Sequence, residues 1–266
     1  MRILEAVVLG LTQGLTEFLP ISSSAHLRIV PEALGWDDPG ASFTAVVQLG
    51  TIAAVLVAFR EDLLAIAGAA WRGTRSREAR AEPAWALGCL LVLGTIPIAV
   101  IGLAAADEIE GPLRAIGVIV GALLVGSAWL WVAIRRRAGP RRVEMLTVRD
   151  AGLIGLAQAA ALVPGISRSG ATIGAALMLD VQPAAAARFS FLLSVPAIVL
   201  AGLFGLRDLG DDLPLGATAM ATVVAFVSGY ASIRWLLRLV AKGRLGGFVV
   251  YRVALALVIV AALALG

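Results

Sequence analysis

Two short stretches of this chain hold residue types that do chemistry at spacings that bring them together. The first runs Gln13-Gly14-Leu15-Thr16-Glu17-Phe18-Leu19-Pro20-Ile21-Ser22-Ser23-Ser24-Ala25-His26. Gln13 and Glu17 are four apart, so a helix projects both from one face. Pro20 ends that helix. Three serines follow, and then His26, the only histidine in the chain. A serine, an imidazole and a carboxylate within ten residues supply a nucleophile, a proton carrier and an orienting group. Ser22 and Ser24 could also hold an anion through their hydroxyls or cap the next helix. Gln13 serves either the site or a backbone group freed by the break.

The second stretch runs Pro164-Gly165-Ile166-Ser167-Arg168-Ser169-Gly170-Ala171-Thr172. A Pro-Gly break precedes an arginine flanked by hydroxyls. A guanidinium is a planar fork matched to phosphate oxygens. Ser167, Ser169 and Thr172 can add hydrogen bonds. Asp180 and Arg188 read as an interfacial pair or a cap. Glu5, Arg28 and Arg252 read as interface residues, and Cys89 and the tryptophans as packing or interfacial anchors.

The elements that must carry these stretches are apolar. Of 266 residues, 60% are hydrophobic and 15% charged, with a mean hydropathy of +0.93. A soluble domain has about a quarter charged residues. The chain is therefore expected to be an all-α integral membrane protein. The net charge of +4 gives no reason to expect nucleic acid as a partner. No cleavable signal peptide is expected, because the first twenty residues carry Glu5, Gln13 and Glu17. Six stretches are long and apolar enough to span: about 43–59, 85–105, 113–134, 188–206, 215–233 and 248–265.

Charge orders the spans. Linker 60–84 holds Arg60, Arg72, Arg75, Arg77 and Arg80. Linker 135–149 holds Arg135, Arg136, Arg137, Arg141, Arg142 and Arg149, and 234–244 holds Arg234, Arg238, Lys242 and Arg244. These are 15 of the 22 basic residues. Segments 31–42 and 106–112 have none, and 207–214 has only Arg207. The positive-inside rule puts the first group in the cytoplasm. Segment 150–187 must then begin and end inside, so it either dips into the membrane and returns or runs as two short crossings. With segment 1–42 also re-entrant, both termini lie outside. The expected architecture is six transmembrane helices plus two re-entrant broken-helix elements in an inverted-topology repeat. Its halves are 1–134 and 150–266, joined by the basic loop 135–149. GLTQGLTEFLPISSS at 10–24 resembles GLAQAAALVPGISRS at 155–169, and such repeats usually place a site near the midplane.

At both stretches the sequence resembles the bacterial undecaprenyl-diphosphate phosphatase family, associated with bacitracin resistance. GLTEFLPISSSAH is similar to its first, (E/Q)xxxE-containing motif, with Gln13 in the E/Q slot and Glu17 in the Glu slot. PGISRSGAT is similar to its second motif, and RFSFLLSVPAI at 188–198 and VVQLGTIAAVL at 46–56 also read like the family. The resemblance covers essentially the whole chain. It implies hydrolysis of undecaprenyl diphosphate to the monophosphate at the periplasmic side of the inner membrane, in lipid-carrier recycling for peptidoglycan. It implies Glu17, Ser23, His26 and Arg168 as catalytic residues. Gln13, Ser22, Ser24, Ser167, Ser169 and Thr172 are expected to bind substrate. It further implies a divalent cation, Mg²⁺ or Ca²⁺, with Glu17 as the expected ligand. A homodimer is compatible with all of this. The type 2 phosphatidic acid phosphatases are excluded, because their motif would need His and Asp where this chain has Gly174 and Met178.

Three mechanisms remain open from sequence: attack by Ser23 with His26 as base, attack by His26 itself, and attack by water activated by His26. The competing function is a polyprenyl-phosphate transporter or flippase, since broken helices serve those too. A non-catalytic lipid-binding scaffold is a third.

The charge pattern generates a test of orientation. A cysteine at Arg77 should stay unmodified when intact cells are treated with a membrane-impermeant thiol reagent. Ready labelling there would reverse the assigned topology.

Overall fold

The computed structural model describes residues 2–38, 40–136, 139–205 and 214–265. Arg137 and most of segment 207–214 therefore lie outside the described residues. In chain order the helices are α1 (Ile3–Phe18), α2 (Ser23–Ala33), α3 (Gly40–Ala58), α4 (Arg60–Gly73), α5 (Pro83–Ala104), α6 (Ala106–Glu110) and α7 (Ile116–Arg135). They continue with α8 (Val148–Ala160), α9 (Arg168–Met178), α10 (Pro183–Gly205), α11 (Leu215–Ala241) and α12 (Gly246–Leu265). Single 3₁₀ turns occupy Ala79–Ala81, Pro112–Arg114 and Val143–Met145. Among the described residues the only extended pairing is an isolated bridge between Arg141 and Val181.

The fold is all-helical, and helices α5, α7, α10, α11 and α12 are each long and apolar enough to cross a membrane. A sixth crossing is available where α3 meets α4 at an 80° bend. The bend falls where the apolar run reaches Arg60, Glu61 and Asp62. Charges at that point cannot continue into hydrocarbon. The segment read as a linker from 60 is thus helical for fourteen residues. Likewise α11 runs eight residues past the expected end at 233 and carries Arg234 and Arg238 on its last turns.

Local chemistry explains the two breaks. Leu19 precedes Pro20 and is extended (φ −69°, ψ 143°), because a residue before proline is steered out of helical conformation. α8 opens on a capping box in which Thr147 and Asp150 bond each other's backbone N–H groups. Arg141 clamps Asp150 with contacts of 2.5 and 3.2 Å. Burial pushes the Asp150 carboxyl up, but the bonds from Arg141 and Thr147 outweigh it and hold it below its ordinary range. Gly165 at φ 108° takes the turn between α8 and α9.

The two broken pairs match at a constant offset of 145 residues. α1 and α8 start at Ile3 and Val148, and α2 and α9 are both 11 residues long. Ser22 and Ser167, just ahead of α2 and α9, have φ of 74° and 69°. Gly35 and Asp180, just beyond them, have φ of 67° and 59°. Each pair packs on the opposite half of the chain. α1 lies along α11, and α8 lies along α5. Gly10 and Gly155 are 145 apart, and each touches the backbone of its partner helix at Ala221 and Gly94, where a side chain would collide. Small residues at such crossings let helix backbones approach closely.

Arg188 does not pair with Asp180. It sits inside α10 and bonds Asp62 of α4 and Glu144, while the Asp180 carbonyl accepts from the Arg141 N–H at 3.2 Å. Glu5 and Arg28 are partly exposed and form short-range pairs with Arg2 and Glu32.

Arg252 corrects the sequence expectation most sharply. It is 0% exposed, not an interface residue. Its guanidinium donates to the carbonyls of Gly165 (2.8 Å), Ile166 (3.0 Å) and Pro20 (3.4 Å). It therefore joins both breaks. Gly126 of α7 gives it room, since a side chain there would overlap the guanidinium. The reason is the accounting of carbonyls. Chain breaks free backbone acceptors at a depth where water is scarce, and a multi-donor side chain satisfies several at once.

This generates a stability prediction. Arg252→Leu should leave those three carbonyls without their donor, at about 1–3 kcal/mol for each buried orphan. Thermal unfolding in detergent should show a midpoint lower by several degrees. An unchanged midpoint would mean that the guanidinium does not hold the breaks together.

Candidate active site

Glu17 is the hub. It ends α1 with its side chain 3% exposed. One carboxylate oxygen, Oε1, pairs with the guanidinium of Arg168, the first residue of α9. The other, Oε2, accepts from the Ser23 hydroxyl at 2.7 Å and from the Gln13 amide at 3.1 Å. The (E/Q)xxxE spacing puts Gln13 one helical turn before Glu17, as expected of i,i+4 neighbours. The break then turns the chain back so that Ser23, first residue of α2, meets the same carboxylate. Residues 151 apart in sequence are joined in the Glu17–Arg168 pair.

Ser22 works across the interface of the two breaks. Its hydroxyl accepts from the Gly165 N–H at 3.1 Å and lies 3.1 Å from Ser24 Oγ. On the other side Ser167 caps α9 by accepting from Gly170 N–H at 3.3 Å and lies 3.3 Å from Ser169 Oγ. Thr172 is completely buried. Its hydroxyl donates back to the Arg168 carbonyl at 2.8 Å and lies 2.6 Å from Ser190 Oγ of α10. It packs the base of α9 instead of opening to the site.

His26 sits apart from the Ser23–Glu17 contact. Its Nδ1 meets the Ser22 carbonyl at 2.7 Å, and its Nε2 meets the Tyr251 hydroxyl at 2.7 Å. The sequence places Ser23 beside His26, three residues on; the fold hands the Ser23 proton to Glu17. Tyr251 was not singled out from sequence. The available signal was a Tyr-Arg dipeptide inside the otherwise apolar helix α12.

What this arrangement can do follows from its parts. Arg168, at the first turn of α9, is a fork-shaped anion donor. Ser23 is a hydroxyl already bonded to a carboxylate. For a cation, the donor set is one carboxylate, the Gln13 amide and serine hydroxyls; no cluster of three or more His, Cys, Asp or Glu exists among the described residues. That set fits a hard cation that shares oxygens with a bound diphosphate, as Mg²⁺ commonly does. It does not fit a cage built by protein alone.

Comparison with known proteins shows the family. The family model described as Bacitracin resistance protein BacA matches residues 6–258. An undecaprenyl-diphosphatase 2 from Frankia casuarinae is 49% identical over 97% of this chain and 94% of its own length. An undecaprenyl-diphosphatase from Nocardioides is 49% identical over 95% of this chain and 93% of its own. One from Myxococcus xanthus is 46% identical over 100% and 91%. With a match across nearly all of its length, the chain belongs to the bacitracin resistance protein BacA family.

Proposed function

We infer that this protein hydrolyses undecaprenyl diphosphate to undecaprenyl phosphate and inorganic phosphate within the membrane, and so recycles the lipid carrier for cell-wall synthesis. Full-length relatives named undecaprenyl-diphosphatase support the reaction. The observation that carries it is the Glu17 carboxylate joined to Ser23 on one side and to Arg168 on the other.

In the reading this geometry favours, the terminal phosphate displaces Glu17 from Arg168. The guanidinium then neutralises charge on its equatorial oxygens. Ser23 Oγ attacks the terminal phosphorus, and its proton passes to Glu17 Oε2. The bond to the bridging oxygen breaks, and undecaprenyl phosphate leaves as a stable phosphate ester without needing a proton. Water then attacks the phosphoserine phosphorus, and its proton goes to His26 Nε2. The Ser23 Oγ–phosphorus bond breaks, and Glu17 returns its proton to Ser23 Oγ. Inorganic phosphate departs, and His26 gives its proton up to water. Gln13 holds Glu17 in orientation throughout. Glu17 and Gln13 would hold Mg²⁺ or Ca²⁺ against the diphosphate, where such an ion supplies charge neutralisation. Ser22, Ser24, Ser167 and Ser169 surround the phosphates, and Thr172 supports α9 beneath them.

The finer membrane arrangement belongs to the same reading. The pairs α1–α2 and α8–α9 are re-entrant from opposite sides, and α3, α5, α7, α10, α11 and α12 span. The matched backbone at offset 145 and the crossed packing of the halves support an inverted-topology repeat. The basic linkers support cytoplasmic placement of 60–84 and 135–149 in the inner membrane. The site then opens to the periplasm and the termini lie outside. A carrier that only moves polyprenyl phosphates has no use for a serine hydroxyl held on a carboxylate, so hydrolysis is preferred to transport.

The test uses purified protein in detergent and substrate labelled in the terminal phosphate. Arg168→Lys keeps the charge and loses the fork, and should turn over about 10²-fold more slowly or worse. Rapid quenching should trap label that survives acid and is lost in base, mapping to Ser23. Acid-labile, base-stable label would move the nucleophile to His26, the chain's single histidine. Full activity in Ser23→Ala removes the serine from the mechanism, and a wild-type rate in Arg168→Lys moves phosphate recognition elsewhere.

A further inference from the structure

His26 is a buried histidine whose two ring nitrogens have different partners. A main-chain carbonyl can only accept, so the contact with Ser22 O puts the ring proton on Nδ1. Nε2 then carries the lone pair and is the nitrogen left for chemistry. It does not face empty space. The Tyr251 hydroxyl lies 2.7 Å away, and the two rings are within 8° of parallel with centroids 5.7 Å apart.

Tyr251 is also anchored by its neighbour. Arg252 is the residue that binds the carbonyls of both breaks. The hydroxyl is therefore placed by the same contacts that bring α1, α2 and α9 together. The other ionisable groups of the site are Glu17 on α1, Arg168 on α9 and Arg252 on α12.

We propose that Tyr251 is a further catalytic residue, passing the proton of the attacking water to His26 Nε2. A phenol is amphoteric. It donates to Nε2 while the imidazole is neutral and accepts from Nε2–H once the imidazole has taken a proton. Because the one in-plane lone pair of Nε2 points at the Tyr251 oxygen, a proton reaches Nε2 through that hydroxyl: the phenol gives its own proton to Nε2 as its oxygen takes one from the water, and His26 stays in register throughout. A main-chain carbonyl could serve only the protonated state, and an ammonium only the neutral one. Phenylalanine could serve neither.

The proposal rests on the reading that His26 acts in hydrolysis, and the experiment separates the two. Because the chain has one histidine, protein carrying ¹⁵N-histidine gives imidazole signals from His26 alone. The wild-type spectrum should show a protonated Nδ1 and a hydrogen-bonded, unprotonated Nε2. Tyr251→Phe keeps the ring and removes the hydroxyl. It should move the Nε2 signal toward that of an unbonded nitrogen, lower kcat by about 10-fold or more, leave KM within about twofold and alter the pH dependence of kcat. Wild-type kcat in Tyr251→Phe at every pH overturns the proposal. So does a loss of kcat with an unchanged imidazole spectrum, because the effect would not pass through His26. If the variant does not fold, the wild-type spectrum decides, and a protonated Nε2 with a bare Nδ1 overturns the assignment. His26→Ala is the control. Full activity there rejects the role of His26 itself and the proposal with it, whereas an inactive His26→Ala beside a fully active Tyr251→Phe rejects only the proposal.

Discussion

The structure depends on burying a carboxylate and a guanidinium together inside an apolar helical fold. Alone, either ion would cost several kcal/mol to desolvate. Paired, and with the remaining lone pairs of Glu17 taken by Ser23 and Gln13, they are tolerated. The pair cannot form within one helix. It requires that α1 stop at Phe18, that α9 begin at Arg168, and that both ends arrive at one place. The breaks, the glycine contacts on α5 and α11 and the staple at Arg252 all serve that arrival. A buried ion pair of this kind is weak evidence for stability. It is better evidence of function, because a phosphate can take over the guanidinium at little electrostatic cost while water could not.

Much of this was legible because the residues concerned are conspicuous in an apolar chain. Glu17, His26 and Arg168 announce themselves by charge where charge is expensive, and Pro20 and Pro164-Gly165 announce the breaks. Five spans, α5, α7, α10, α11 and α12, followed from length and hydropathy alone, and the stretch from 43 makes a sixth when the bent α3–α4 pair is one crossing. What stayed hidden depends on three-dimensional accounting. Arg252 reads as a snorkelling arginine until the carbonyls of Pro20, Gly165 and Ile166 are known to converge on it. Tyr251 carries no functional mark in the sequence, and its place on His26 is seen only in the fold. The partner of Ser23 also escaped sequence reading. Proximity along α2 favours His26, whereas the turn at Ser22 directs the hydroxyl back toward the end of α1. Arg188 misled for a related reason: its partners Asp62 and Glu144 come from distant elements.

Positive φ at two serines is the local cost of the design. A residue with a Cβ in that region loses roughly 1–2 kcal/mol, and the described chain accepts this at Ser22 and Ser167 as well as at Asp180 beyond α9. Glycine would relieve the strain and forfeit the hydroxyl. At Ser22 that hydroxyl receives the Gly165 N–H across the junction; at Ser167 it caps α9. Strain of this sort persists only where surrounding contacts over-determine it. At Ser22 that contact comes from the other break, through Gly165 N–H, whereas the hydrogen bonds of Ser167 stay within the first turn of α9.

The matched breaks differ where the chemistry is. At the offset of 145, Ser22 corresponds to Ser167, Ser24 to Ser169 and Gln13 to Gln158. But Glu17 corresponds to Leu162, Ser23 to Arg168 and His26 to Ala171. Residues that shape the backbone are kept in both halves, and residues that would react are divided between them. Division is what phosphoryl transfer requires. Two copies of Arg168 would hold the phosphate without an attacking group, and two copies of Glu17 and Ser23 would repel the diphosphate. Facing the halves across one junction puts a cation opposite a nucleophile while each half keeps the same fold. The asymmetry also gives Tyr251 its place on α12 beside His26. His26 exists on one side only, so only the helix packed beside α2 needs a hydroxyl to hold it.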